Sequence, residues 1–276
     1  MAHQQVNGVE LYYEDTGGTG EVILFHHGYT GSHDGWAEVV ERLRDRFRCV
    51  VMDSRGAGDS GHPEDGYTIA QYADDVIGMV DALGIGRFTY VGHSMGGVVG
   101  MELGVRYGDR LERLVLVAPA PSGGVVMPPE FRAEAEKLWY GRDAEELVRQ
   151  RLVGAARPEL NDDVVAKARV DRALSVSKGH YEQSWDALVN ARLSDQLGSI
   201  RTPTLMVAGA ADSLLKPNLE DFGRLRGASL HVFNRVGHMV PTDVPDAFAE
   251  LVADFMANGV VTAKTLMDRI AADAEA

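Results

Sequence analysis

The chain has 276 residues, 45% apolar and 25% charged, which is ample for a sizeable buried core in one large domain or two small ones. Its formal net charge of −14 and pI near 5.0 argue against nucleic acid and anionic membrane as main partners, because both reward basic patches. A single cysteine, Cys49, excludes an intramolecular disulfide and a cysteine metal cluster.

The opening MAHQQVNGVELYYEDTG lacks the basic and apolar regions of a signal peptide, and no run approaches the ~18 apolar residues of a membrane span. A cytoplasmic location is therefore expected. VELYYE (9–14) and EVILFHH (21–27) read as strands separated by the turn TGGTG. SHDGWAEVVERL follows with Ser32 as a candidate N-cap and an apolar stripe at 36, 39, 40 and 43. FRCVVMD (47–53) is the next strand, with Cys49 as a small core residue. In YTIAQYADDVIGMVDALG, Thr68 and Gln71 form a capping-box pattern, Tyr72, Val76, Val80 and Leu83 mark one face, and Gly84 ends the helix.

RFTYVGH (87–93) reads as a strand, 95–108 as a helix and LERLVLVAP (111–119) as a strand. Near-continuous apolar strands point to an α/β architecture, a mostly parallel central sheet with helices on both faces. Between about Ser122 and Ser199 the pattern turns to amphipathic helical stretches (PEFRAEAEKLWYG, DAEELVRQRLVG, DDVVAKARVDRALSV, YEQSWDALVNARL) with no intervening strand. This predicts a helical insertion, 122–199, in a core made of 1–121 and 200–276. Alternation resumes with a strand at 202–209, a polar helix near 217–225, a strand at 229–234 and a last helix from about 245. The tail 258–276 is amphipathic and acidic and suggests no function.

Gly92-His93-Ser94-Met95-Gly96 has the G-x-S-x-G form and lies between a strand and a helix, the context that motif requires. A serine on so sharp a turn takes strained backbone angles, and glycines two positions away remove the collisions. Serine is a poor nucleophile at neutral pH and needs a base that is itself held by a carboxylate. Of nine histidines, His238 in NRVGHMVPTDVPDAF lies between the last strand and the last helix, with Thr242 or Asp243 as cap and Pro245 in the first turn. That is the carboxyl edge of the sheet, where open α/β folds bind ligands. His93 neighbours the serine, but its side chain is expected to point elsewhere. The order Ser…Asp…His leaves Asp212, in GAADSLLKP after the strand 202–209, as the acid; Asp221 lies too far along the next helix. Oxyanion donors are expected from the backbone N–H groups of Met95 and Tyr29.

Taken in order, HHGYTGSHDGW, DSRGAGDSG, GHSMGG, GAAD and GHMVPTDVPDAF resemble the α/β-hydrolase superfamily over nearly the whole chain. The resemblance implies the α/β-hydrolase fold, the insertion as a helical cap, and Ser94, Asp212 and His238 as nucleophile, acid and base. It also implies an oxyanion hole from Tyr29 and Met95, and no cofactor or metal. DSRGAGDSG looks like the family's structural turn, and Asp243 stands where many relatives carry Glu.

The reading is a serine hydrolase of carboxylic esters, of small apolar acyl groups or lactones, with a small-molecule substrate; a homodimer stays open. Val125, Val126, Met127, Trp139, Tyr140, Tyr181 and Trp185 are the pocket candidates, for each of which packing within the insertion is an equal alternative. Two rivals remain: a C–C bond hydrolase of vinylogous diketones using the same residues, and a hydrolase-fold small-molecule receptor with slow turnover.

Overall fold

Short runs rich in β-branched and aromatic residues become the strands of one sheet in the computed structural model, which describes residues 2–157, 159 and 163–274. They are β1 (Ala2–Val6), β2 (Val9–Asp15), β3 (Val22–His26), β4 (Arg48–Met52), β5 (Phe88–His93), β6 (Leu111–Val117), β7 (Thr204–Gly209) and β8 (Ala228–Phe233). Their spatial order is β1-β2-β4-β3-β5-β6-β7-β8. Pairs β1–β2 and β2–β4 are antiparallel, and the rest of the sheet is parallel.

The helices of the first half are α1 (Ala37–Leu43), α2 (Ile69–Ala82) and α3 (Met95–Arg106). Alternate strand residues feed two cores. Ile23, Phe25, Val91 and Val115 share a cluster with Val39 and Leu43 of α1. Leu24, Tyr90, Leu114 and Leu116 join Val76 and Val80 of α2 and Val98 and Val99 of α3 on the opposite face. Burial on both faces is what the near-continuous apolar runs predict.

Between β6 and β7 come α4 (Pro129–Gly141), α5 (Ala144–Val153), α6 (Asp163–Ser175) and α7 (Lys178–Val189), then a 3-10 segment, Ser194–Ser199. Trp139, Val170, Leu174 and Tyr181 form a separate apolar cluster with Ala57 of the core, in which the Trp139 and Tyr181 rings stack 4.0 Å apart. The two ends of this insertion meet where the Leu193 N–H donates to the Ser122 carbonyl, 2.8 Å. Arg172 of α6 bonds Asp34 and Asp59 of the core, at 2.7 and 2.9 Å. Asp162, the first residue of one expected helical stretch, and residues 275–276 of the tail lie outside the described residues.

The chain ends with α8 (Leu215–Phe222), α9 (Val240–Asp243), α10 (Pro245–Asn258) and α11 (Ala263–Ala274). Phe248 and Val252 of α10 complete the core on the α1 face. Among the described residues no helix is long and apolar enough to cross a membrane.

Some local expectations change. β1 is an edge strand that its polar sequence conceals; Asn7 and Gly8, at φ 47° and 79°, turn it into β2. Ser32 does not cap a helix: its hydroxyl donates to Asp34, and a 3-10 turn, His33–Trp36, precedes α1. Thr68 does cap α2, accepting from the Gln71 N–H at 3.1 Å. At the last helix α9 intervenes, so the cap is Val244 rather than Thr242 or Asp243, and Pro245 is the first helical residue.

Candidate active site

β5 ends at His93 and α3 begins at Met95, so Ser94 alone makes the turn. It does so at φ 54° and ψ −109°, a strained conformation for a residue with a side chain. The turn is locked from several directions. The Ser94 N–H donates to Val117, and its carbonyl accepts from Ala120, Gly97 and Val98. The flanking glycines are needed for close approach: a Cβ on Gly92 would lie 2.1 Å from the Gly96 carbonyl oxygen, and one on Gly96 2.6 Å from that of His26. A buried chain reinforces the turn, running from His26 Nδ1 to the Tyr90 hydroxyl at 2.7 Å and from that hydroxyl to the Gly96 carbonyl at 2.8 Å.

His238 lies between β8 and α9, and Asp212 between β7 and α8. His238 Nε2 is 2.9 Å from Ser94 Oγ, and its Nδ1 is 2.8 Å from Asp212 Oδ2. Since a carboxylate only accepts, Nδ1 carries the proton and Nε2 faces the serine as acceptor. Burial opposes the charge on Asp212, but hydrogen bonds from His238 and the Leu214 N–H outweigh it and hold the carboxyl below its usual range. The arrangement can take a proton from Ser94 and stabilise the resulting imidazolium. All three side chains stand at the carboxyl ends of parallel strands, the ligand-binding edge of such sheets.

His93 does not simply point away. Its Nε2–H donates to the His238 carbonyl at 2.8 Å, and the two rings lie 4.9 Å apart. Burial, aided by neighbouring His238, pushes its pKa down to about 3, so it remains a neutral brace. The loop after β3 packs against the same turn: a Cβ on Gly28 would lie 2.9 Å from Ser94 Cβ. Tyr29 is next in that loop, and Met95 is the first residue of α3, where N–H groups lack partners within the helix. Behind the loop, buried His180 of α7 stacks on the Tyr29 ring at 5.8 Å, and its Nε2 accepts from the Thr30 N–H at 3.5 Å.

The pocket candidates divide. Trp139 and Tyr181 are buried in the apolar cluster that the insertion shares with Ala57. Val126 is 95% exposed, and it lines an open cavity with Val125, Met127 and Trp185. Tyr140 is half exposed, with its hydroxyl donating to Glu182.

Sequence reasoning did not weigh Arg132, and it set Asp221 aside as too far along its helix to be the acid. Arg132 of α4 places its guanidinium over the rings of Tyr181 and Trp185. Asp221 accepts from the N–H and hydroxyl of Ser122, at 2.8 and 2.5 Å, and so holds the start of the insertion. Its position after β7 was visible, but its partner was not. His33, Asp53 and Asp59 bring three possible metal-ligand atoms within 4.8 Å of one another. Their atoms are already engaged: His33 Nδ1 with Asp53 at 2.8 Å, Asp53 also with the Asp59 N–H, and Asp59 with Arg172. This cluster ties the loop after β4 to the loop after β3.

Known proteins resemble this chain in sequence and in fold. N-formylmaleamate deformylase from Pseudomonas putida is 28% identical over 267 residues, covering 92% of this chain and 96% of its own. The enol-lactonase from Burkholderia xenovorans LB400 superposes with a TM-score of 0.83 at 28% identity, covering 93% of this chain and all of that one. Est816, described as an N-acyl homoserine lactone degrading enzyme, gives 0.79 at 30% identity over 92% of this chain and all of its own. The family profile described as the alpha/beta hydrolase fold matches residues 21–243, and the chain belongs to that family.

Proposed function

We propose that the chain is a serine hydrolase of carboxylic esters and lactones, with the helical insertion as a cap over the reacting groups. The observation that carries this reading is His238, bridged to Ser94 at 2.9 Å on one nitrogen and to Asp212 at 2.8 Å on the other. Ser94 Oγ adds to the substrate carbonyl while its proton passes to His238 Nε2. The N–H groups of Met95 and Tyr29 stabilise the oxyanion, each contributing roughly 10²–10³ in turnover. Collapse breaks the bond to the alkoxy oxygen, which takes the proton from His238 and leaves an acyl-Ser94. Water then adds to the acyl carbon as His238 takes its proton, and that proton returns to Ser94 as the acid departs. In a lactone the alcohol stays tethered through both halves and the product is a hydroxy acid. The steps use only protein groups and water. Relatives that include an enol-lactonase and a lactone-degrading enzyme support ring-opening as one form of the reaction.

The test is a panel of short- and medium-chain p-nitrophenyl esters, lactones and a thioester. Ser94→Ala is expected to lower kcat by on the order of 10⁴–10⁶ while the protein stays folded. Undiminished ester hydrolysis by that variant would overturn the reading. A dienoate cleaved faster than every ester would instead favour carbon–carbon bond hydrolysis by the same three residues. A ligand bound tightly and turned over only very slowly would favour a receptor.

A further inference from the structure

We propose that the cavity beside Tyr29 binds a carboxylate at the far end of the substrate's acyl group, with Arg132 as its main partner and Arg192 as a second positive charge. This rests on the hydrolase reading and names its substrate class: monoesters of short dicarboxylic acids, and lactones that bear a carboxylate.

The cavity has a volume of about 470 Å³. Val125, Met127, Trp185 and Val189 supply apolar wall, and Arg132 and Arg192 supply the charge; among the described residues no acid lines it, Glu136 pairing with Arg132 from outside the wall. A wall carrying two cations and no anion goes against the composition of a chain with 41 acids and 27 bases. Glu136, itself part exposed, offsets part of the Arg132 charge, and Arg192 keeps the wall positive towards negative ligands.

Arg132 is built into this wall. Its side chain is 15% exposed, and its guanidinium lies 4.8 Å from the Tyr181 ring centre and 4.6 Å from that of Trp185. Between the rings the side chain has already lost most of its rotamer freedom, so little more is lost on binding a ligand. Its Nε donates to the part-exposed Glu136 at 2.7 Å, and Nη1 reaches the Tyr29 hydroxyl at 3.5 Å. The Nη2 edge is left for a carboxylate. Arg192 directs Nη1 at the backbone carbonyls of Gly123, Val189 and Ala191, which position its charge without neutralising it.

Tyr29 joins the cavity to the reaction. Its N–H belongs to the proposed oxyanion hole, its ring packs 5.9 Å from Trp185, and its hydroxyl meets Arg132. A substrate with its carbonyl at Ser94 and a short chain along the Tyr29 side chain brings its other end to the guanidinium. There a neutral methyl group would leave the cation without a ligand partner, whereas a carboxylate forms charge-assisted hydrogen bonds.

The experiment compares mono-4-nitrophenyl glutarate with 4-nitrophenyl pentanoate, two acyl groups of similar length differing in terminal charge. Wild-type kcat/KM is expected to favour the glutarate by about tenfold or more, less so at high salt. Arg132→Gln is expected to cut that ratio by about 10- to 100-fold, mainly through KM, with Arg132→Lys recovering part of it. Should Arg132→Gln fail to fold, Arg192→Gln reads the same ratio, and glutarate should inhibit pentanoate hydrolysis by the wild type more strongly than glutaramide. A wild-type preference for the pentanoate, a ratio unmoved in the folded variants, or equal inhibition by glutarate and glutaramide would overturn the proposal. If neither ester is cleaved in a Ser94-dependent way, the hydrolase reading fails instead. Glutarate titrated calorimetrically into Ser94→Ala then tests the cavity alone, with binding in support and no binding against.

Discussion

The carboxyl edge of the sheet and the helical insertion between β6 and β7 are built by opposite means. At the edge, backbone fixes the geometry: Ser94 is held at φ 54° by four backbone hydrogen bonds, and neighbouring glycines admit contacts that a Cβ would forbid. In the insertion, side chains do the work. Trp139 stacks on Tyr181, Arg132 lies over two rings, and Arg172 grips two carboxylates of the core. Geometry fixed by backbone tolerates side-chain substitution, while packing made by side chains changes with each one.

The sharpest way to break that contrast is to change chemistry without changing shape. Asp212→Asn keeps the size of the side chain but lets His238 take the wrong tautomer, and we expect kcat to fall by about 10³–10⁴ while the protein stays folded. Retained activity in a steady-state ester assay would mean that the carboxylate does not set the base. Trp139→Ala is the counterpart in the insertion. Losing the stacked ring should cost about 3–5 kcal/mol of stability within that unit by urea unfolding, while acylation of Ser94 by a small ester persists. Equal loss of both would show that the two regions do not behave independently.

A further effect concerns pH. His93 at the edge and His180 in the insertion are both buried, and burial pushes each pKa down to about 3. The unfolded chain therefore binds protons that the folded one refuses as pH drops from about 6.5 towards 3, and stability falls with it. Each histidine contributes a slope of about 1.4 kcal/mol per pH unit within that window. His33 works in the other direction. Burial lowers its pKa, but Asp34 and Asp53 outweigh that and raise it to about 10, so its stabilisation is complete below about 6.5 and lost as pH rises through 10. Urea midpoints from pH 4 to 10 should describe a dome, flattened on the acid side by His180→Gln and on the alkaline side by His33→Asn.

The same contrast governs what could be read from sequence. Ser94 and its glycines form a local signal, because a turn that tight needs glycine at fixed offsets. His238 and Asp212 follow from their places after β8 and β7. β1 was missed because Gln4 and Gln5 give an edge strand no apolar pattern, although Asn7-Gly8 marked the hairpin. The brace from His93 to His238 depends on a contact 145 residues long in sequence. Arg132 was not legible for the same reason: alone on a helix it reads as a solvated charge, and only the packing of α4 on α7 sets it between Tyr181 and Trp185. Likewise Trp139 and Tyr181 read equally well as pocket or packing until their stacking is seen.

The most direct test of the central claim is intact-mass analysis of the protein quenched during turnover of a slowly deacylating ester, followed by peptide mapping. The account predicts one acyl group per chain, attached to the peptide containing Ser94 and absent from Ser94→Ala. An acyl group carried by another residue, or full turnover with Ser94 never modified, would contradict it.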